Sequence, residues 1–276
     1  MYGKGQGVAQ DDAEAAKWFG KAAEQGDADA QYNLGVMNVT GQGVPQNAVE
    51  AAKWFRRAAE QGSAVAQYNL GVMHSGGQGV AQSDAEALRW YLKAAEQGYA
   101  PAQNNLGLVY DDGKAVPQDF AEAVKWYRKA AEQGFAPAQV NLGRMYDNGQ
   151  GGVAQDYAEA TKWIRKAADQ GYAVAQNTLA GRYIRGRGVA QDYAEAATWF
   201  RKAAEQGDAE AQNNLGAMYA QGQGIPRDYI PAYMWFNLAA TAGNQRAANN
   251  RDLAAQHMTP AEIAEAQKLA RESRPK

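Results

Sequence analysis

The stretch from Ala28 to Ser63 recurs along this chain in steps of 36 residues. Its copies begin at Ala64, Ala100, Ala136, Ala173 and Ala209, with one slip of a single residue at Gly151-Gly152. A fixed period of this length makes each copy one supersecondary unit, which buries its apolar face only by stacking on its neighbours. The length of 276 residues therefore counts repeats rather than closed globular cores. The slip lengthens one turn and is expected to leave the helix pairs on either side in register.

Each copy carries two helical patterns. The first, helix A, runs from about Asp29 to Thr40 in the first full repeat. At 100° per residue, Ala30, Gln31, Leu34, Gly35 and Met37 share one arc, and Asp29, Tyr32, Val36 and Val39 share the opposite one. The first arc is the packed side. Its glycine recurs as Gly71, Gly107, Gly143 and Gly216, with Ala180 the exception. A mid-helix glycine costs about 0.5–1 kcal/mol against alanine, so close approach of a neighbouring helix backbone is expected there. A glutamine recurs on the same arc at Gln31, Gln67, Gln103, Gln139, Gln176 and Gln212, and its amide should bond turn backbone.

A glycine-rich turn follows, TGQGVPQ in repeat one and RGRGVAQ in repeat five, with Val44 and its equivalents plugging the gap beneath it. Helix B then opens with a spacing that predicts capping boxes: Asp11 with Glu14, Asn47 with Glu50, Ser83 with Glu86, Asp119 with Glu122, Asp156 with Glu159 and Asp192 with Glu195. It ends at a C′ glycine such as Gly62. All seven tryptophans occupy one helix B position, from Trp18 and Trp54 to Trp235, and are expected to form the buried spine of the stack. The last repeat departs from this pattern. Pro231 replaces the capping glutamate, and Met234, Asn237 and Leu238 replace the basic face. That apolar face predicts a cover, supplied by a helix from about Gln245 to Gln256 and another from Thr259-Pro260 to about Glu272. Residues 1–243 are thus the repeat array, with a partial repeat at 1–27 and six full repeats over 28–244, and 245–276 is a helical cap.

The pattern AxAQxxLGxxYxxGxGVxxDxxEAxxWxxKAAEQG resembles the Sel-one-like repeat, a relative of the tetratricopeptide repeat with a longer connecting turn, over essentially the whole chain. The closing MTPAEIAEAQKLARE resembles the tail of bacterial members. The resemblance implies an all-α fold, a right-handed superhelical solenoid of antiparallel helix pairs with helix A lining its concave surface. It also implies an adaptor or receptor surface for other proteins, and many bacterial members are exported and act in host or envelope interactions. Cysteine-rich members carry a disulfide in each repeat; this chain has no cysteine and is outside that subgroup.

Charge narrows the partner. The formal net charge is −2 with acids and bases interleaved, so the chain lacks the basic stripe that phosphate backbones require, and nucleic acid is excluded as principal partner. No apolar run reaches the roughly 20 residues of a membrane-spanning helix, so membrane insertion is not expected. Met1-Tyr2 aligns with Met218-Tyr219, so the first helix of that repeat is expected upstream. An export signal there would make the protein periplasmic or secreted; otherwise it is cytoplasmic.

Catalytic motifs reduce to architecture. GKGQG at Gly3–Gly7 and GGQG at Gly76–Gly79 resemble phosphate loops, yet the same glycines recur in every interhelical turn with no strand before them. Ser273 to Lys276 satisfies SxxK but lacks the partner motifs of penicillin-recognising enzymes. His74 stands where later repeats have Tyr110, Tyr146, Tyr183 and Tyr219, which reads as a packing substitution, and His257 sits near a helix end, where a cation suits the dipole. Two distant histidines without cysteines make no metal site, and no cofactor is expected.

The outward arc of helix A is where the copies differ. It runs Tyr32, Val36, Val39; Tyr68, Val72, Ser75; Asn104, Leu108, Asp111; Val140, Arg144, Asp147; Asn177, Gly181, Ile184; Asn213, Ala217, Ala220. The first half is aromatic and apolar and the middle acidic with one arginine, while Arg182, Arg185 and Arg187 form a basic patch near repeat five. Beside the arc, Asn33, Asn69, Asn105, Asn141 and Asn214 form a row of amides that either clamps an extended peptide or bonds within the repeat. Contiguous exposed aromatics mark interfaces. These residues predict a non-enzymatic scaffold that binds a protein or extended peptide. The candidate site is Tyr32, Val36, Val39, Tyr68, Val72, Asn104, Leu108, Asp111, Arg144, Asp147, Asn177 and Arg185. The alternatives are a cell-wall-related or β-lactam-binding enzyme, and an array that self-associates through its open N-terminal end, where Trp18 and Phe19 lack a helix A cover.

Overall fold

A computed structural model describes residues 11–273. The Gly3–Gly7 turn, the Met1-Tyr2 pair and the last three residues of the Ser273–Lys276 motif lie outside the described residues. Among the described residues the secondary structure is α-helix throughout, in the order α1 (Asp12–Glu24), α2 (Ala28–Thr40), α3 (Ala48–Glu60), α4 (Ala64–Gly76), α5 (Asp84–Glu96), α6 (Ala100–Asp112), α7 (Phe120–Glu132), α8 (Ala136–Asn148), α9 (Tyr157–Asp169), α10 (Ala173–Arg185), α11 (Tyr193–Glu205), α12 (Ala209–Gln221), α13 (Tyr229–Thr241), α14 (Gln245–Ala255) and α15 (Pro260–Glu272). Even-numbered helices from α2 to α12 are helices A, and odd-numbered ones from α1 to α13 are helices B. The chain divides into two compact units, Met1–Gln133 and Gly134–Lys276. Within each, consecutive antiparallel helices pack side by side. Among the described residues no helix is long and apolar enough to cross a membrane.

The N-caps of helix B fall at the predicted residues, but the boxes are half-made. Asn47 Oδ1 accepts from the backbone N–H of Glu50 at 3.1 Å, and Asp192 Oδ1 from that of Glu195 at 3.0 Å. The reciprocal bond is absent because the cap's own N–H is already engaged by helix A: Asn47 donates to Asn38 O at 2.8 Å and Asp119 to Tyr110 O at 2.9 Å. Where a cation lies three residues on, the glutamate turns to it instead, as in Glu50 with Lys53 at 2.6 Å and Glu159 with Lys162 at 2.8 Å. Such exposed pairs add at most about 0.5 kcal/mol each. The full capping box occurs at Thr259, whose N–H donates to Glu262 Oε2 at 2.7 Å. There the backbone bond holds the Glu262 carboxyl below its usual range.

The mid-helix glycines answer chiefly to a ring rather than to backbone. A Cβ on Gly35 or Gly107 would lie 2.6 Å from Phe55 or Tyr127. These rings follow the tryptophan in helix B and are the innermost side chains of the repeat, Tyr127 being wholly buried. The tryptophans are not a uniformly buried spine. Trp90 is buried, Trp54, Trp126 and Trp163 are half-buried, and Trp18 is 54% exposed. Trp54 packs on Ala23 of the preceding repeat and on Ala30 and Leu34 of its own helix A, while Arg57 covers its other face at 4.6 Å from the centroid. Lys129, Lys166 and Lys202 take the same place over Trp126, Trp163 and Trp199, each at 3.9 Å. The indole thus seals the seam between repeats with a cation–π lid facing water.

The recurrent glutamine ties three helices. Gln31 Nε2 donates to Ala23 O at 3.0 Å, at the end of the preceding helix B, and its Oε1 accepts from Gln61 Nε2 at 2.7 Å. Gln67 with Gln97 and Gln176 with Gln206 repeat the second bond at 2.7 and 2.8 Å. The ladder stops at Gln212: Ala242 stands where the donor amide belongs, and the buried Gln212 Oε1 has no hydrogen-bond partner.

The inserted glycine is absorbed as predicted. Gly151 and Gly152 both take left-handed conformations, and Asp156 still donates to Tyr146 O at 2.9 Å. At the C-terminus, Met234, Trp235 and Leu238 of α13 cluster with Leu269 and Ala270 of α15, and Arg251 Nη1 of α14 donates to Asn237 Oδ1 at 3.5 Å. The uncharged face of α13 is covered by these two helices. His257 lies beyond α14 and stacks on Tyr229 at 4.8 Å rather than serving the helix end.

Candidate interaction surface

In the first unit the outward arc of α2, α4 and α6 is apolar and accessible. Helical spacing puts Tyr32, Val36 and Val39 on one stripe and Tyr68 and Val72 on the next, with Leu108 on the third. Val39 is 40%, Val72 36% and Leu108 42% exposed. The two tyrosines are half-buried and backed by the inner rings: Tyr32 lies 5.8 Å from Phe55, and Tyr68 6.0 Å from Tyr91. A third ring completes the set. Tyr99, at the N-cap of α6, makes no capping bond and packs edge-on against Tyr68 at 5.4 Å. Burial pushes the Tyr99 phenol above its usual value, and the phenols of Tyr32 and Tyr68 add to the shift. Sequence reasoning missed Tyr99. The available signal was the run of aromatics, Tyr99, Phe135 and Tyr172, at a position where Asp27, Ser63 and Asp208 would be ordinary caps.

Two polar members of the predicted site face elsewhere. Asn104 is 5% exposed, and its Nδ2 donates to Asn105 Oδ1 at 3.4 Å. Its short amide stays within the packed layer, whereas the tyrosine rings at the equivalent positions reach through it. Asp111 is half-buried and accepts from Tyr127 Oη at 3.0 Å, which turns it toward helix B. The amide row is satisfied locally where Asn33 donates to Asp29 O at 2.8 Å and Asn69 to Val65 O at 3.0 Å. Bonding within the repeat is what these two amides do.

The second unit overturns the predicted basic patch. Arg182 is 3% exposed and pairs with Asp147, whose side chain is itself only 16% exposed. Arg182 Nη1 also donates to Thr161 Oγ1 at 2.9 Å and to Tyr157 O at 3.4 Å. Arg182 stands where other repeats carry Met37, Met73, Met145 and Met218, and Thr161 where they carry Ala52, Leu88 or Ala197. A buried guanidinium at a methionine position requires acceptors, and Asp147 and Thr161 supply them. Asp147 is therefore an internal counter-ion rather than a docking carboxylate. Arg187 lies over Tyr157 at 4.3 Å, so Arg185 is the one exposed member of the three arginines. Arg185 and Asn177 line a cavity of about 400 Å³ with Gly181, Ile184 and Glu210, and Asn177 accepts from Asn214 at 3.4 Å. Arg144 is half-buried.

His74 is buried. Its Nδ1 lies 3.2 Å from Ala81 O and its Nε2 3.5 Å from Arg56, the arrangement in which Arg165 and Arg201 donate to Tyr183 and Tyr219. The Ser273 hydroxyl donates to the Met234 sulfur at 3.9 Å. Among the described residues no group of His, Cys, Asp and Glu could hold a metal ion.

Helix pairs of this kind, with a recurrent packed arc and a variable outward one, define a helical-repeat array. The Sel1 repeat model matches residues 1–27, 28–63, 64–99, 100–135, 136–172, 173–208 and 209–244, and the chain belongs to the Sel1 repeat family. It is similar to a Sel1 repeat protein from Oxalobacter formigenes at 40% identity and TM-score 0.78, over 90% of this chain and 71% of that one. It is also similar to c5321, a protective antigen present in uropathogenic Escherichia coli strains displaying an SLR fold, at 34% identity and TM-score 0.57, over 99% of this chain and 66% of that one. Immunity protein Pa5087 from Pseudomonas aeruginosa, 20% identical with TM-score 0.52 over 78% of this chain and 81% of its own, shares the fold. No curated protein matches the chain.

Proposed function

We propose that this protein is a non-catalytic scaffold that binds a protein or extended peptide along the helix A face of its first unit. The observation that carries the reading is the apolar stripe of Tyr32, Tyr68 and Tyr99 with Val36, Val39, Val72 and Leu108, rings held in place by packing yet open to solvent on one side. Rigid aromatics anchor interfaces at low entropic cost. Satisfied polar groups around them add no competing charge, and the family's repeats commonly serve as interaction scaffolds.

Peptides selected on the wild-type protein from a random display library test this directly. Tyr32→Ala combined with Tyr68→Ala is expected to weaken their binding by about 30-fold or more while helicity and the melting curve persist. Unchanged affinity in a folded double variant would place the binding surface elsewhere. A second reading, self-association through α1, rests on Trp18, the most exposed of the tryptophans. Light scattering over a dilution series, with Trp18→Ala as the control, separates the two.

A further inference from the structure

The helix that caps the array keeps the register of a helix A. Asn250 Nδ2 of α14 donates to Asn213 Oδ1 of α12 at 2.9 Å, as Asn214 Nδ2 donates to Asn177 Oδ1 one repeat earlier at 3.4 Å. The N-caps agree: Asn244 Oδ1 accepts from the Ala247 N–H at 3.0 Å, as Asp208 Oδ1 accepts from that of Ala211 at 2.7 Å. With α12 and α13, α14 therefore forms the same kind of joint that successive repeats form, and a cavity of about 250 Å³ lies in it. Cavities of about 400 and 380 Å³ occupy the equivalent joints of α10 with α12 and of α4 with α6. The cavity is thus a property of the fold, and its lining decides what it can hold.

The lining at the cap departs from both. The α4–α6 joint carries Asp84, Asp112 and Lys114, and the α10–α12 joint carries Arg185 and Glu210. At the cap, Tyr229 and His257 stand where the first has Asp84 and Asp112, and α15 begins where the turn carrying Lys114 would run. Among the described residues no Asp, Glu, Lys or Arg lines this cavity. Arg227 lies over the Tyr229 ring at 6.0 Å from its centroid, outside that lining. The Tyr229 and His257 rings are stacked at 4.8 Å with 16° between their planes, and the buried Phe236 closes the floor. Leu253 is the one large apolar side chain of α14, yet it is 57% exposed on the rim while Ala247 and Ala254 carry the packing of that helix. A capping element is expected to keep a polar outer face, so an exposed leucine beside an uncharged cavity marks a contact surface.

We propose that the cap joint receives the aromatic side chain of a partner peptide. A cavity of roughly 150 Å³ accommodates a benzene ring, so the volume here suits one aromatic side chain. An acidic or basic side chain would lose its water there without gaining a partner of opposite charge. The stacked pair offers a third ring an offset face or an edge, a geometry that an aliphatic side chain does not exploit. The site lies in the second unit and shares no residue with the Tyr32 and Tyr68 stripe. It is a second point of recognition that stands on its own observations.

The test uses the full chain and three capped tripeptides, Ac-Ala-Phe-Ala-NH2, its leucine counterpart and its lysine counterpart, with binding followed by amide NMR shifts. Saturable shifts at Ala217, Ala220 and Leu253 are expected with the phenylalanine peptide, with about fivefold weaker binding of leucine and no saturation by lysine. Leu253→Lys puts a cation on the rim at an exposed helical position, so the fold persists and phenylalanine binding should weaken about tenfold or more. Leu253→Met, which keeps an apolar rim, should retain it. Absence of saturable shifts with the phenylalanine peptide, leucine or lysine binding as tight as phenylalanine, or binding that survives Leu253→Lys in a protein of unchanged helicity would overturn the proposal. Tyr32→Ala combined with Tyr68→Ala should leave these shifts unchanged. Failure of the first-unit reading therefore appears in the display experiment and failure of the cap joint in this one.

Discussion

The outward helix A positions of the two units show how one repeat serves two ends. In the first unit they hold Tyr32, Tyr68, Val72 and Leu108, whose partners are other apolar groups and which leave a surface open. In the second unit the equivalent of Val39 is Asp147, and it is consumed in neutralising Arg182. The difference follows from what lies beneath. A methionine on the packed arc asks nothing of its surroundings, whereas a buried arginine draws every nearby acceptor inward and removes it from the surface.

This contrast predicts a graded series of effects. The largest is at the ion pair. Arg182→Ala strands Asp147 and Thr161 and should cost the second unit about 3–5 kcal/mol in urea unfolding. Arg182→Met combined with Asp147→Asn and Thr161→Ala, which removes the charge at both ends, should recover most of that loss. A cost below about 1 kcal/mol for Arg182→Ala would mean that the pair is a surface interaction and the contrast between the units is false.

Next comes the inner ring of the first unit. Gly107→Ala drives a methyl into Tyr127 and should destabilise by about 1–3 kcal/mol, seen as a lower melting temperature. Ala180 shows that repeat five accommodates a methyl at the equivalent position, so an equally neutral Gly107→Ala would show that the Tyr127 ring yields as well. Smaller and of opposite sign is Ala242→Gln, which gives the unpartnered Gln212 Oε1 the donor that Gln61 gives Gln31. It should stabilise by about 0.5–1.5 kcal/mol, and a loss of stability would show that the ladder is not what the glutamines serve.

The smallest effect is alkaline. The folded phenols of Tyr91 and Tyr99 sit above the tyrosine range because burial disfavours their charged forms. The unfolded chain therefore releases these protons first. Stability is complete below about pH 10 and declines as pH rises through the folded values. Tyr91→Phe combined with Tyr99→Phe should flatten that decline in a pH series of melting curves, and an unaltered slope would mean that the stripe is as wet as the second unit's surface.

Much of this molecule is legible from spacing. The 36-residue period, the helix boundaries set by Asp11, Asn47 and Ser83, the cover over α13 and the tolerance of the Gly151 insertion all depend on interactions within a few residues, or on a repeat that presents the same neighbour each time. The apolar half of the candidate site is legible for the same reason, since Tyr32, Tyr68 and Leu108 lie on the outward arc of a helix whose packed arc is known. The polar half is not. Asn104 and Asp147 fall on the same arc, yet where their side chains go depends on Asn105 and on Arg182, which lies on a helix two elements away. Tyr99 was hidden by its place at a cap, where local rules look for a hydrogen bond and the ring instead finds Tyr68.

The sequence by itself determined the helix-pair array, its caps and the stripe that distinguishes its first unit, because periodicity and capping are local chemistry repeated. Tertiary structure alone decided that Glu50 and Glu159 turn from their caps to lysine, that Trp54, Trp126, Trp163 and Trp199 lie beneath cations, and that Arg182 folds inward. Each of these turns on which partner reaches a polar group or a gap first, and that depends on distances between residues far apart in the chain.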